Sequence, residues 1–169
     1  MVEPVLVGIL SDTHDNLAQA EAAVSRFNKE GVELVLHAGD YVAPFMIGTL
    51  KDLVAPMTGV FGNNDGDHAL LLAKCSEYPH LTIAGPFARI EEGGVSIGLM
   101  HGHDRRLFET LCSCSALDVL VYGHTHKPEV RRQGPLLIIN PGEVYGHLTG
   151  KSTIAVLDTK SRKVRILEI

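Results

Sequence analysis

Five short apolar runs in this chain each end in a small cluster of side chains able to bind a metal. This repetition constrains the fold more than any other feature. VLVGILSDTH carries Asp12 and His14 just past its run, and LVLHAGD carries Asp40. TGVFGNND carries Asn63, VSIGLMHGH carries His101 and His103, and VLVYGHTH carries His124 and His126. Runs of this length and β-branched content read as buried strands. Strands that run the same way in a sheet bring their carboxyl ends to one edge, where ligands bind. Residues scattered from Asp12 to His126 are thereby directed to one site. His14, His37, His101, His103, His124 and His126 all stand at run ends, whereas His68, His80 and His147 lie elsewhere and read as surface residues.

The stretches between these runs are helical at first. Val5–Leu10 is the first strand, and Asp15 is a candidate cap for the segment after it. Leu17, Ala20, Ala23, Val24 and Phe27 recur at helical spacing until Gly31 closes the helix. Leu34–Leu36 is a second strand, a short helix runs from Pro44 to about Leu53, and Val54–Phe61 is a third strand. His68–Cys75 reads as helix, 81–100 as two or three strands around the EEGG turn at 91–94, and Arg105–Ser115 as helix. Asp118–Tyr122 is a strand, followed by Glu129–Arg132, Leu136–Ile139, Ser152–Asp158 and Lys163–Glu168 as antiparallel strands. Helices alternating with strands early and strands dominating late give an α/β sandwich, two sheets face to face with helices outside. A chain of 169 residues with no linker or repeat suits one domain, 1–169.

Composition narrows the function. A net charge of -5 argues against a basic nucleic-acid surface, and the absence of Trp argues against a single-strand stacking platform. No apolar run approaches the roughly 20 residues needed to span a bilayer. The N-terminal MVEPVLVGILSD has no basic n-region, so a cytoplasmic location is expected. Cys75, Cys112 and Cys114 form no CxxC pair; the CSC at 112–114 reads as the buried face of a helix plus one neighbour, not a zinc or disulfide site.

Carboxylate and imidazole without thiolate suit Mn²⁺, Fe²⁺, Zn²⁺, Ni²⁺ or Co²⁺ better than Ca²⁺ or a structural zinc. Two Asp, one Asn and at least four His exceed the needs of one four-coordinate ion. Two divalent ions roughly 3.5–4 Å apart, sharing a carboxylate, use such a set well and attract a phosphate. Gly39, Gly62, Gly102 and Gly123 stand beside the donors and permit close approach of loop backbone. His37 reads as a backbone-bonded polar residue, Asp65 as a turn former bonding its own loop, and Arg105 and Arg106 as solvated helix charges. Asn140 reads as a turn residue before Pro141 at the edge of the site.

DTH, GDYV, GNND, HGH and GHTH follow the order and approximate spacing of the calcineurin-like metallophosphoesterases. The chain resembles their small single-domain YfcE-like phosphodiesterase branch, and NPGE at 140–143 is similar to that branch's NPGS loop. The resemblance implies a four-layer α-β-β-α sandwich of two mixed sheets flanked by helices. It implies that Asp12, His14 and His126 hold one metal, that Asn63, His101 and His124 hold a second, and that Asp40 bridges them. The implied activity is hydrolysis of a small phosphate ester, most simply a diester, by a metal-bridging hydroxide, with Mn²⁺ as the expected ion. It also allows a homo-oligomer, dimer or tetramer. Two departures stand out. Many relatives read GNHD, where the His is the general-acid candidate; here Asn64 stands in that place and has no proton to give at neutral pH. Either His103 or a metal-bound water supplies the proton, or the substrate's leaving group needs little help; His103, near the metals, is the candidate for contacting phosphate or protonating the leaving group, with Asn64 beside it. Glu143 stands where Ser is common, and its carboxylate either repels an anionic substrate or faces solvent. The competing readings are a phosphomonoesterase, a nuclease, and a non-enzymatic scaffold like the retromer subunit of this fold. The intact Asp12 and His14 favour the enzyme.

Overall fold

The structure, a computed structural model, describes residues 3–169. Residues 1–2 of the N-terminal reading lie outside the described residues.

A six-stranded sheet is ordered β11-β10-β1-β2-β3-β4. Its strands are β1 (Leu6–Leu10), β2 (Leu34–His37), β3 (Met57–Gly59), β4 (Leu81–Ile83), β10 (Thr153–Asp158) and β11 (Lys163–Glu168). A five-stranded sheet is ordered β5-β6-β7-β9-β8. It comprises β5 (Phe87–Glu92), β6 (Val95–Met100), β7 (Val119–Val121), β8 (Glu129–Gln133) and β9 (Leu136–Asn140). The period-2 geometry of a strand sorts its apolar residues to two faces. Val7, Ile9, Leu34 and Leu36 face Ile97, Leu99, Val119, Val121 and Ile139 in the core between the sheets. Leu10, Val35 and Met57 face the other way, under α1 (Leu17–Glu30), α2 (Met46–Leu50) and α3 (His68–Ser76). A Cβ on Gly8 would lie 2.7 Å from the Phe27 ring, so a glycine there lets α1 settle on β1. On the far side, α4 (Arg105–Cys112) lays Leu107, Phe108 and Leu111 over Met100, Leu120 and Ile138. The four layers and their mixed pairing are those expected.

β1, β2 and β3 pair in parallel, as do β6, β7 and β9. The carboxyl ends of both central strand sets therefore meet at one edge of the sandwich. The two sheets are tied there by His124 N–H donating to Asp12 Oδ2 at 3.0 Å and His101 Nδ1–H donating to Ala38 O at 2.7 Å.

Several local expectations shift. The helix cap is Asn16, which accepts from Gln19 N–H, while Asp15 turns to the Ala43 amide of the neighbouring loop. α2 stops at Leu50 and is entered through i→i+3 turns at 43–48, so the helix to Leu53 is shorter than its apolar pattern. β3 keeps only Met57–Gly59 of the expected Val54–Phe61, because Pro56 has no amide for the ladder and Phe61 bonds Gly85 O. α4 ends at Cys112 rather than Ser115. The late strands are not uniformly antiparallel, since β9 runs parallel to β7 while β8 pairs outside it. All three cysteines are free; Cys112 and Cys114 are half-buried against the core under α4.

Candidate metal centre

The site starts with backbone strain. Asp12, His14, Asp40, His124 and His126 all have positive φ, between 40° and 66°. A non-glycine residue pays for such a conformation with about 1–3 kcal/mol, and such residues gather where function requires them. Cross-loop bonds hold the geometry. His14 N–H donates to Asp40 O at 3.1 Å, and His124 N–H donates to Asp12 Oδ2 at 3.0 Å. Buried Asp65 accepts from the amides of Asp40, Val42 and Gly62 at 3.0, 2.8 and 2.7 Å. It thus serves both its own loop and the loop of Asp40. Gly62 and Gly123 are needed for close approach, because a Cβ would collide with Asp40 Oδ1 at the first and Ser11 Oγ at the second.

Within this frame the side chains converge. His14 Nε2 lies 3.6 Å from Asp12 Oδ1 and 3.4 Å from Asp40 Oδ2. His126 Nε2 lies 3.4 Å from Asp12 Oδ1, and His101 Nε2 lies 3.3 Å from Asp40 Oδ2. Two triads result, each with its donor atoms within 4.8 Å of one another: Asp12, His14 and His126, and Asp12, Asp40 and His101. Asp12 is common to both, and Asp40 touches an imidazole from each. The His124 ring stands edge-on to His101 with centroids 5.2 Å apart. His103 is exposed, its ring 5.5 Å from that of His101 and 6.2 Å from that of His124. Asn63 is exposed on its loop. Asn64 bonds Asp40 twice, backbone N–H to Oδ1 at 2.9 Å and side-chain amide to Oδ2 at 2.7 Å.

The inner donor atoms suit a cation. His101 Nδ1–H donates to Ala38 O at 2.7 Å, and His126 Nδ1–H donates to Glu143 Oε2 at 2.7 Å. Each ring thereby turns its Nε2 toward the carboxylates, as metal-ligating histidines do. Asp12 Oδ1, His14 Nε2 and His101 Nε2 are buried with no hydrogen-bond partner. Lone pairs facing one another in a buried site repel unless positive charge lies between them. Burial alone would raise the Asp40 carboxyl, yet His101 and the Asn64 bonds hold it well below the usual carboxylate range. Burial alone would lower His101, but the Asp40 carboxylate more than reverses that. Oxygen and imidazole donors converging in this way fit a divalent transition ion.

Other residues fall outside the cluster. His37 is fully buried, stacks on Tyr41 at 3.9 Å and accepts the Gly39 amide at 3.1 Å. Burial pushes its pKa down to about 3, so it stays neutral and serves the loop. Asn140 donates to Gly123 O at 2.7 Å and accepts the Gly142 amide at 2.9 Å, so it braces the loop of His124 as well as its own turn. Arg105 pairs with exposed Glu109 on α4. Glu143 departs from expectation: it is fully buried and does not face solvent or substrate. Its oxygens are filled by His126, Leu148 and Thr149. The signal in the sequence was the acidic residue in NPGE, but its partner lies 17 positions away. Tyr145 was also missed; its ring lies 5.4 Å from that of His14.

Residues 5–162 match the calcineurin-like phosphoesterase superfamily domain. The chain is 37% identical over 159 residues to a phosphodiesterase of Methanocaldococcus jannaschii, covering 94% of this chain and 96% of that protein. It is 29% identical to the phosphodiesterase YfcE of Escherichia coli, over 79% of this chain and 76% of the other. Among solved structures, one characterised as a novel archaeal phosphodiesterase superposes with a TM-score of 0.92 at 36% identity, over 97% of this chain and 99% of that one.

Proposed function

The chain belongs to the calcineurin-like phosphoesterase superfamily, and from that premise we propose that it is a metal-dependent phosphodiesterase with a dinuclear centre. The carrying observation is the pair of triads whose buried Asp12 Oδ1, His14 Nε2 and His101 Nε2 have no other partner. In this reading Asp12, His14 and His126 hold one ion, and Asn63, His101 and His124 hold the other. Asp40, with one oxygen near both His14 and His101, is shared. The whole chain acts as one domain.

Divalent ions supply positive charge for a phosphate and ionise water near neutral pH. The protein's own residues do the rest. Asp12 and Asp40 stay ionised and give the centre its negative charge. Ala38 O and Glu143 fix the ring orientation of His101 and His126. Asn64 orients Asp40 and presents a neutral amide at the open face, where it contacts substrate but supplies no proton. His103, exposed beside His101 and His124, is the group placed to meet the phosphate or hand a proton to the leaving oxygen. Among the described residues no Lys or Arg is hydrogen-bonded or ion-paired to the centre. This favours a singly charged diester over a monoester, which carries a second charge at neutral pH. Mn²⁺ is the proposed ion, the cytoplasm the proposed location, and a small phosphate ester the proposed substrate.

The test is hydrolysis of bis-p-nitrophenyl phosphate and p-nitrophenyl phosphate by metal-stripped protein, with and without added Mn²⁺. The reading expects Mn²⁺-dependent cleavage, faster for the diester. Faster cleavage of the monoester would make the protein a phosphatase on the same scaffold. No turnover in either case would remove the enzymatic reading.

A further inference from the structure

Glu143 is a fully buried carboxylate whose two oxygens do different work. Oε1 accepts three donors from one loop: Leu148 N–H at 3.0 Å, Thr149 N–H at 2.6 Å and Thr149 Oγ1 at 2.8 Å. Oε2 accepts Nδ1–H of His126 at 2.7 Å. The segment carrying Glu143 is itself stapled to the end of β1, with Val144 N–H donating to Ser11 O at 3.0 Å and Tyr145 N–H donating to Asp12 O at 2.9 Å. The carboxylate is thus fixed from both sides before it meets the imidazole.

We infer that Glu143 is a positioning residue that sets the tautomer and aim of His126, keeping the Nε2 lone pair directed at the ion shared with Asp12 and His14. This rests on the dinuclear reading above. A carboxylate accepts only, so Nδ1 must carry a proton, and in the neutral imidazole Nε2 then bears the lone pair. Nε2 then faces Asp12 Oδ1 at 3.4 Å, where an ion would bind. A serine in this position, the residue common in the resembling loop, has a hydroxyl that both donates and accepts and leaves the tautomer free. The acidic residue therefore removes a choice that His126 would otherwise have.

Glu143→Gln separates this role from loop support. The amide oxygen of Gln still accepts from Leu148 and Thr149, but its NH₂ replaces Oε2 and faces His126 as a donor. His126 then turns the Nδ1 lone pair to the amide, and its proton moves to Nε2, toward Asp12. Two readouts decide the matter, Mn²⁺ binding by calorimetry to metal-stripped protein and the His126 tautomer from long-range ¹H–¹⁵N correlations of the metal-free protein. The expected result is an Nδ1–H tautomer and two bound ions in the wild type. In Glu143→Gln, the tautomer becomes Nε2–H and one ion binds roughly 10–100-fold more weakly. Unchanged affinity for both ions with an unchanged tautomer would leave Glu143 a loop brace and overturn the inference while the dinuclear reading stands. If the wild type failed to bind two ions, the dinuclear reading would fall, and the inference with it. Should the variant not fold, the wild-type tautomer still decides: Nδ1–H supports the role, and Nε2–H overturns it.

Discussion

Asp65 is the residue on which the Asp40 loop hangs, and removing it has a calculable effect. Its Oδ2 accepts the amides of Asp40 and Gly62, and its Oδ1 accepts the amide of Val42. Val42 is β-branched yet has a φ of 78°, and Asp40 beside it has 62°. Asp65→Ala leaves three buried or half-buried amides without an acceptor. Each costs about 1–3 kcal/mol, and relaxation of Val42 returns about 1–3 kcal/mol. The net loss is about 2–6 kcal/mol, so the chain stays folded where its total stability lies in the middle or upper part of the usual range of about 5–15 kcal/mol. Asp65→Asn is milder. One amide oxygen, flipped to the Asp40 side, serves two of the three donors, so only Val42 is orphaned, at about 1–3 kcal/mol. The Asn also removes a buried charge; burial holds the Asp65 carboxyl above the usual range despite its amide bonds. Urea unfolding of the metal-free protein measures both variants. The order wild type, Asn, Ala is expected. Both variants within about 0.5 kcal/mol of the wild type, the level of an ordinary surface change, would refute the view that Asp65 holds this loop.

Further outcomes follow from the same geometry. Gly62→Ala drives a Cβ into Asp40 Oδ1 and to 2.6 Å from the Asp40 amide, so hydrolysis and Mn²⁺ occupancy should both fall while far-UV circular dichroism holds. His37→Leu orphans the Gly39 amide and should lower stability by about 1–3 kcal/mol, with ion stoichiometry unchanged; loss of an ion would make His37 a ligand. Chelation should lower the melting temperature. Free ion at a hundred times its dissociation constant adds about 2.7 kcal/mol per site, or roughly 5–10 °C for a chain of this size; scanning calorimetry with and without EDTA checks it.

The carboxyl ends of the strands were legible because each apolar run stops at residues that no buried strand would carry without purpose. Asp12, His14, Asp40, His101 and His126 meet in space as that pattern required. What the sequence hid was set by distant partners. Asp15 and Asn16 are both capable caps, and the choice fell to Asn16 because Asp15 is drawn to the Ala43 amide. The Val54–Phe61 run is apolar throughout, but apolar character does not say where the ladder bonds stop. The parallel seat of β9 beside β7 follows from β8 pairing at the sheet edge, and no local pattern in either strand encodes that. Glu143 looked substrate- or solvent-facing because nothing near it in the chain reveals that His126 will fold against it.

Anomalous diffraction from a crystal grown with Mn²⁺ tests the central claim most directly. The account predicts two peaks roughly 3.5–4 Å apart, one beside Asp12, His14 and His126, the other beside Asn63, His101 and His124, with the Asp40 carboxylate between them. One peak, or two that do not share Asp40, would contradict it.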